Sequence, residues 1–141
     1  MAALEKPFEI LDRIARLKPL AAKLASIIPG QTVAFEQVTE AARPFLAALI
    51  ASCVKRRAWV VCANVREQEI FYNELLNWFP GAVFLPAMEL APAQGAVPDP
   101  EIAAERLRIL QNLAASRERH VIVVLQTSFI LPMLKEGTCA H

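Results

Sequence analysis

The chain is poor in the residues on which enzymatic chemistry most often rests. Only four glycines are spread through its 141 residues, and its only aspartates are Asp12 and Asp99. A phosphate-binding loop needs glycines so that backbone N–H groups can approach the anion, and bound magnesium needs carboxylates near a strand end. None of the lysines follows a glycine, and no Asp-Glu pair follows a candidate strand. Histidine occurs twice, as His120 and His141, and cysteine three times, as Cys53, Cys62 and Cys139. No two cysteines stand at a Cys-x-x-Cys spacing, so structural zinc has no ligand set. An odd number of cysteines without a pairing framework reads as small hydrophobes in a reducing compartment. No apolar run reaches the roughly 18 residues of a membrane span. Met1 to Lys6 carries no basic region leading into an apolar stretch, and a cytoplasmic location is the expectation. Charge of one sign is also missing: 15 Lys and Arg face 14 Asp and Glu, a net +1. That balance gives no electrostatic footprint for autonomous nucleic-acid binding, and 55% apolar content excludes a disordered chain.

What is present is a regular alternation. Residues 7–28 carry Phe8, Leu11, Ile14, Leu17, Leu20, Leu24 and Ile27 at steps of three and four, the period of a helix face. Pro19 interrupts the stripe and predicts two helices or a kink, and Pro29-Gly30 ends it. Thr32–Phe35 is a strand candidate, and the Ala/Leu-rich segment from Pro44 to Val54 a helix with proline in its first turn. The runs Ala58–Ala63 and His120–Leu125 are continuously apolar, as strands buried on both faces of a parallel sheet are. Asn64 and Glu67 stand at capping-box spacing before a helix that carries Phe71, Leu75 and Phe79 on one face. Ala82–Leu85 is a further strand. Residues 86–100 hold four prolines and a glycine and read as an extended loop. Asp99 then caps a helix that has Pro100 at its first position and runs to about Ala115. Thr127 or Ser128 caps a short final helix ending near Pro132. The pattern predicts an α/β domain with a parallel sheet and helices on both faces. Its expected divisions are an N-terminal helical extension over 1–30, an α/β subdomain over 31–134, and a truncated or divergent end over 135–141.

In such sheets ligands bind outside the carboxyl ends of the strands. Three such ends are Gln37 to Arg43, Ala63 to Arg66, and Gln126 to Ser128. The first has the spacing of a phosphate loop without its residues. No glycine is present at Gln37 or Ala42, Glu40 repels polyphosphate, Arg43 stands for the lysine, and Pro44 has neither hydroxyl nor N–H. A nucleophilic Cys62 would lie inside a strand, with His120, on another strand, as its base. Glu105 and Arg108 form an i,i+3 pair on the 100–115 helix, read as a solvated face.

These segments resemble one family. Val38-Thr39-Glu40-Ala41-Ala42-Arg43 before an Ala/Leu helix looks like a worn helicase motif I. Trp59–Asn64 followed by Phe71–Leu75 resembles the next helicase motif. Phe84–Pro92, followed by Pro98–Leu110, is similar to the "FPAWE-LP…SP…I-x-x-R-L-x-x-L" stretch of bacterial transcription-repair coupling factors. The strand Val121–Leu125 with Thr127-Ser128 completes the likeness, which spans about residues 8–134. It falls on the N-terminal module of that family, a module itself similar to excinuclease component B.

The resemblance implies a helicase-like three-layer subdomain whose phosphate loop is degenerate, without ATPase activity or cofactor of its own. The parent protein would be an ATP-dependent DNA translocase that couples removal of stalled RNA polymerase to nucleotide excision repair. Implied partners are the parent's other domains, RNA polymerase and DNA through the parent, and excinuclease component A through an adjoining subdomain. Met88, Leu90 and Pro92 are candidates for partner contact or for covering the sheet edge. Arg106 and Arg108 are candidates for partner contact or for a solvated face. The competing reading is a nucleotide-binding or ATP-hydrolysing domain related to excinuclease component B.

Overall fold

The structure, a computed structural model, describes residues 6–87, 99–118 and 120–126. Two helices, α1 (Pro7–Ala15) and α2 (Lys18–Ala25), come first. A 3-10 turn (Glu40–Ala42) runs into α3 (Arg43–Val54). Next come β1 (Ala58–Cys62), α4 (Val65–Leu76), β2 (Ala82–Phe84), α5 (Pro100–Ala115) and β3 (Val121–Leu125). The break between α1 and α2 has the cause the sequence suggests. Pro19 sits in the first turn of α2, where its missing N–H has no intrahelical partner to lose. Helix α3 stops at Lys55, whose φ of 58° is left-handed and ends the helical ladder.

The three strands are parallel in the order β1-β3-β2. The chain moves two places across the sheet from β1 to β2, then one place back to β3. Right-handed crossovers travelling in opposite directions must lie on opposite faces. Helix α4 therefore covers one face and α5 the other. The packing agrees: Val121, Val123 and Leu125 join Leu11, Ala48, Leu49, Ala51 and Leu75 in one core. Ile122 and Val124 point the other way, against Ile109 and Leu113 of α5 and Leu85. All five residues of β3 are buried, as expected for a central parallel strand.

Two expectations are corrected. Thr32–Phe35 forms no strand; residues 31–36 lie outside helix and sheet. Gly30, at φ 80°, turns the chain, and Phe35 then packs against the core with the Lys23 ammonium 5.1 Å from its ring centre. Side-chain packing and a cation–π contact tether this stretch where ladder hydrogen bonds were expected. Strand β1 is not buried on both faces. It pairs only with β3 among the described residues, and Trp59 and Val61, on the α5 side, remain 42% and 52% exposed. Helix α5 packs on β2 and β3 through Ile109 and Leu113, and near β1 it meets Arg57, just before the strand, whose guanidinium donates to Leu113 O and Ser116 O.

The N-terminal helices contribute to the core. Leu11 has no exposed surface and packs in the same cluster as Leu49 and Leu75. Helix α3 is apolar almost all round, a pattern that requires cover on several sides, and α1 and α4 flank it. Replacing Leu11 by alanine is expected to cost about 2–5 kcal/mol, as for other fully buried leucines. Urea unfolding measures this; a loss below about 0.5 kcal/mol, the scale of surface changes, would show that α1 is only an appendage.

Candidate functional site

The segment read from sequence as a degenerate phosphate loop follows no strand, since residues 31–36 lie outside helix and sheet, and in it Gln37 takes a left-handed φ of 59°, a conformation that favours glycine. Thr39 is extended, and the chain then winds at once into the 3-10 turn and α3. The Ala42 N–H donates to Thr39 O at 3.0 Å. Pro44, in the first helical turn, has no N–H and is buried. Gln37, Thr39, Glu40, Ala42 and Arg43 are exposed. The turn thus spends two amides internally, those of Ala42 and Arg43, lacks one at Pro44, and carries the Glu40 carboxylate at the helix entry, where a phosphate would need positive potential.

The carboxyl end of β1 is closed by its own side chains. Asn64 Oδ1 accepts from Glu67 N at 2.9 Å, and Glu67 Oε2 accepts from Ala63 N at 3.1 Å. This is the anticipated capping-box-like pair, with the carboxylate reaching the N–H one residue before the N-cap, and it leaves an acid over the first turn of α4. At the third end, Gln126 N donates to Cys62 O at 2.9 Å, joining β3 to β1. Thr127 and Ser128, expected to cap a last helix, lie outside the described residues.

Two polar side chains between these ends are deeply buried. Gln68 on α4 is 1% exposed, and its Nε2 donates to Leu85 O at 2.8 Å and to Val123 O at 3.0 Å. Its Oε1 is buried without a partner among the described residues. Arg106 on α5 is 8% exposed and donates through Nη1 to Pro86 O. Burial lowers its guanidinium pKa from the ordinary value. Arg106 was expected on an exposed helix face, and this is corrected: it lies in phase with Ile109 and Leu113, three and seven residues on, and so faces the sheet. Gln68 was missed altogether. The signal was its spacing, since it precedes Phe71 and Leu75 by three and seven residues on the inward face of α4.

Arg108 does sit on a solvated face, with Nε 2.9 Å and Nη2 2.5 Å from the two Glu105 carboxylate oxygens. The hydrogen bond to Arg108 lowers the Glu105 pKa, and the pairing raises that of Arg108. Met88, Leu90 and Pro92 lie outside the described residues.

The candidate nucleophile Cys62 and its candidate base His120 are not brought together. Burial pushes the Cys62 thiol pKa up, and nearby Glu67 adds to the effect. His120 stands beside Ala58, four residues from Cys62 along β1 and so about 13 Å away at strand rise. Its Nε2 lies 3.4 Å from Ser116 Oγ, and its Nδ1 is buried without a partner among the described residues. No cluster of three metal-ligating side chains occurs among the described residues. A cavity of about 810 Å³, floored by Phe8 and Phe79 and rimmed by Asp12, Lys55, Arg117 and Glu118, opens at the amino ends of the strands, away from the ligand end. No helix among the described residues is long and apolar enough to cross a membrane.

No family model, curated protein or solved structure matches the chain.

The two described cysteines differ in accessibility, Cys53 being exposed and Cys62 buried. Alkylation at pH 8 followed by peptide mapping is expected to label Cys53 at least about tenfold faster than Cys62, because the buried thiol stays protonated. Comparable rates in the folded protein would show that the end of β1 is open.

Proposed function

We propose that this chain is a non-catalytic scaffold and protein-interaction module, of the kind that opens a transcription-repair coupling factor. In this reading it is a helicase-like subdomain without ATPase activity of its own, working in the cytoplasm beside the DNA-translocating motor of a parent protein. Its contribution to nucleotide excision repair is then to hold shape and be contacted.

One observation carries the reading. The segment Gln37–Pro44 offers no free amide at the helix entry, where a phosphate loop would present its last ones, because Ala42 N–H is bonded to Thr39 O, Arg43 N–H to Glu40 O, and Pro44 has none. Glu40 adds a negative charge at the same point. Support also comes from the three parallel strands between helical layers, and from the net charge of +1, which gives nothing to steer nucleic acid. Of the described candidate partner-contacting residues, Arg108 lies on the outer face of α5, paired with Glu105 and beside the 55%-exposed Leu107. Arg106 is committed to the interior.

Exposed Arg43, at the first position of α3, is the observation that favours the competing nucleotide-binding reading. Titration with a fluorescent ATP analogue and magnesium separates the two. No saturable binding is expected. Micromolar affinity that is lost in Arg43→Ala would establish the nucleotide-binding reading instead. A gel shift at low ionic strength, where charge-driven association is strongest, is likewise expected to show no retarded DNA band.

A further inference from the structure

The chain leaves β2 at a point held from both sides of the sheet. Strand β2 itself has three residues, too few for its ladder with β3 alone to fix the chain beyond it. Leu85 continues the pairing by donating its N–H to Val123 O at 3.1 Å. From the α4 layer, Gln68 Nε2 donates to both Leu85 O and Val123 O. From the opposite layer, Arg106 donates to Pro86 O. Successive carbonyls, Leu85 and Pro86, are thus gripped by side chains that reach in from different helices, seventeen and twenty residues away in sequence. Proline at 86 supplies no N–H, so the backbone cannot secure this point by itself.

We propose that Gln68 and Arg106 form a two-sided latch that sets the exit direction of the chain from β2, so that this point opens locally only when one of them lets go. Both Nε2 hydrogens of Gln68 are used while its Oε1 has no partner among the described residues, so the amide serves here as a double donor. The Arg106 side chain is sequestered for a single carbonyl contact, and that desolvation is hard to rationalise for a surface arginine. The latch is independent of whether the domain binds nucleotide, and it fixes the geometry with which the proline-rich stretch begins.

Residue-resolved hydrogen exchange on the full chain tests this. In Gln68→Met and in Arg106→Met, the Leu85 amide is expected to exchange about fivefold to tenfold faster, the scale of one lost buried hydrogen bond. The amides of β3 are expected to change several-fold less. Arg106→Lys, which keeps a donor on a long stem, is expected to recover part of the Leu85 protection and remains informative if the methionine variants fold poorly. Equal acceleration at Leu85 and throughout β3, or no change at Leu85, would overturn the latch, since the two side chains would then merely support global stability or nothing at all.

Discussion

Burial of β3 on both faces is the constraint on which the rest of the structure depends. Its residues alternate between two cores, Val121, Val123 and Leu125 on one side and Ile122 and Val124 on the other, and none retains more than a trace of exposed surface. An apolar strand of this kind cannot sit at an edge or under a single layer. It requires a parallel neighbour on each side, which β1 and β2 supply, and a helical layer above and below. Each side chain buried from β3 is worth about 1.5–3 kcal/mol by area transfer, and that is lost when the layer it faces departs. The two crossover helices are therefore held to opposite faces by handedness and by the burial they must provide.

The same arrangement bears on function. A central parallel strand flanked by crossovers creates a carboxyl end at which loops converge, the usual place for a ligand. Here several of the described groups at that end are already bonded to other groups of the chain. The Asn64–Glu67 box closes the N-terminus of α4, Gln126 closes onto β1, and Gln68 and Arg106 turn inward to bind carbonyls. Donors spent on the chain's own backbone fix the geometry of the loops that begin there. This internal bonding is what the proposed scaffold reading draws on.

Much of this was legible in the sequence because single residues decide it. Pro19 separates α1 from α2, Asn64 and Glu67 begin α4, and Asp99-Pro100 begins α5, where the Glu101 N–H meets Asp99 Oδ1 at 2.9 Å. A continuous apolar run identified β3, and period-3.6 spacing the inward face of α4. The failures share a cause. A run such as Thr32–Phe35 has strand propensity, but a strand needs a partner, and partner choice is tertiary. Ala58–Cys62 reads like β3 by composition, yet its place at the edge of the described sheet leaves Trp59 and Val61 exposed. Arg106 looked like surface because of its charge, while its position in the helical stripe put it inside; periodicity was the better guide than polarity.

If β3 is the element that joins the layers, the two faces of the sheet must unfold as a single cooperative unit. Trp78 packs edge-on against Phe45 in the layer of α1 to α4, and Trp59 lies on the opposite face of the sheet. Urea unfolding followed by fluorescence in Trp59→Phe and in Trp78→Phe therefore reports one face at a time, with circular dichroism as the common reference. The account predicts that fluorescence and circular dichroism give coincident midpoints within each variant. If fluorescence and circular dichroism separate, so that one layer melts while the other persists, β3 does not unite the fold and the account is wrong.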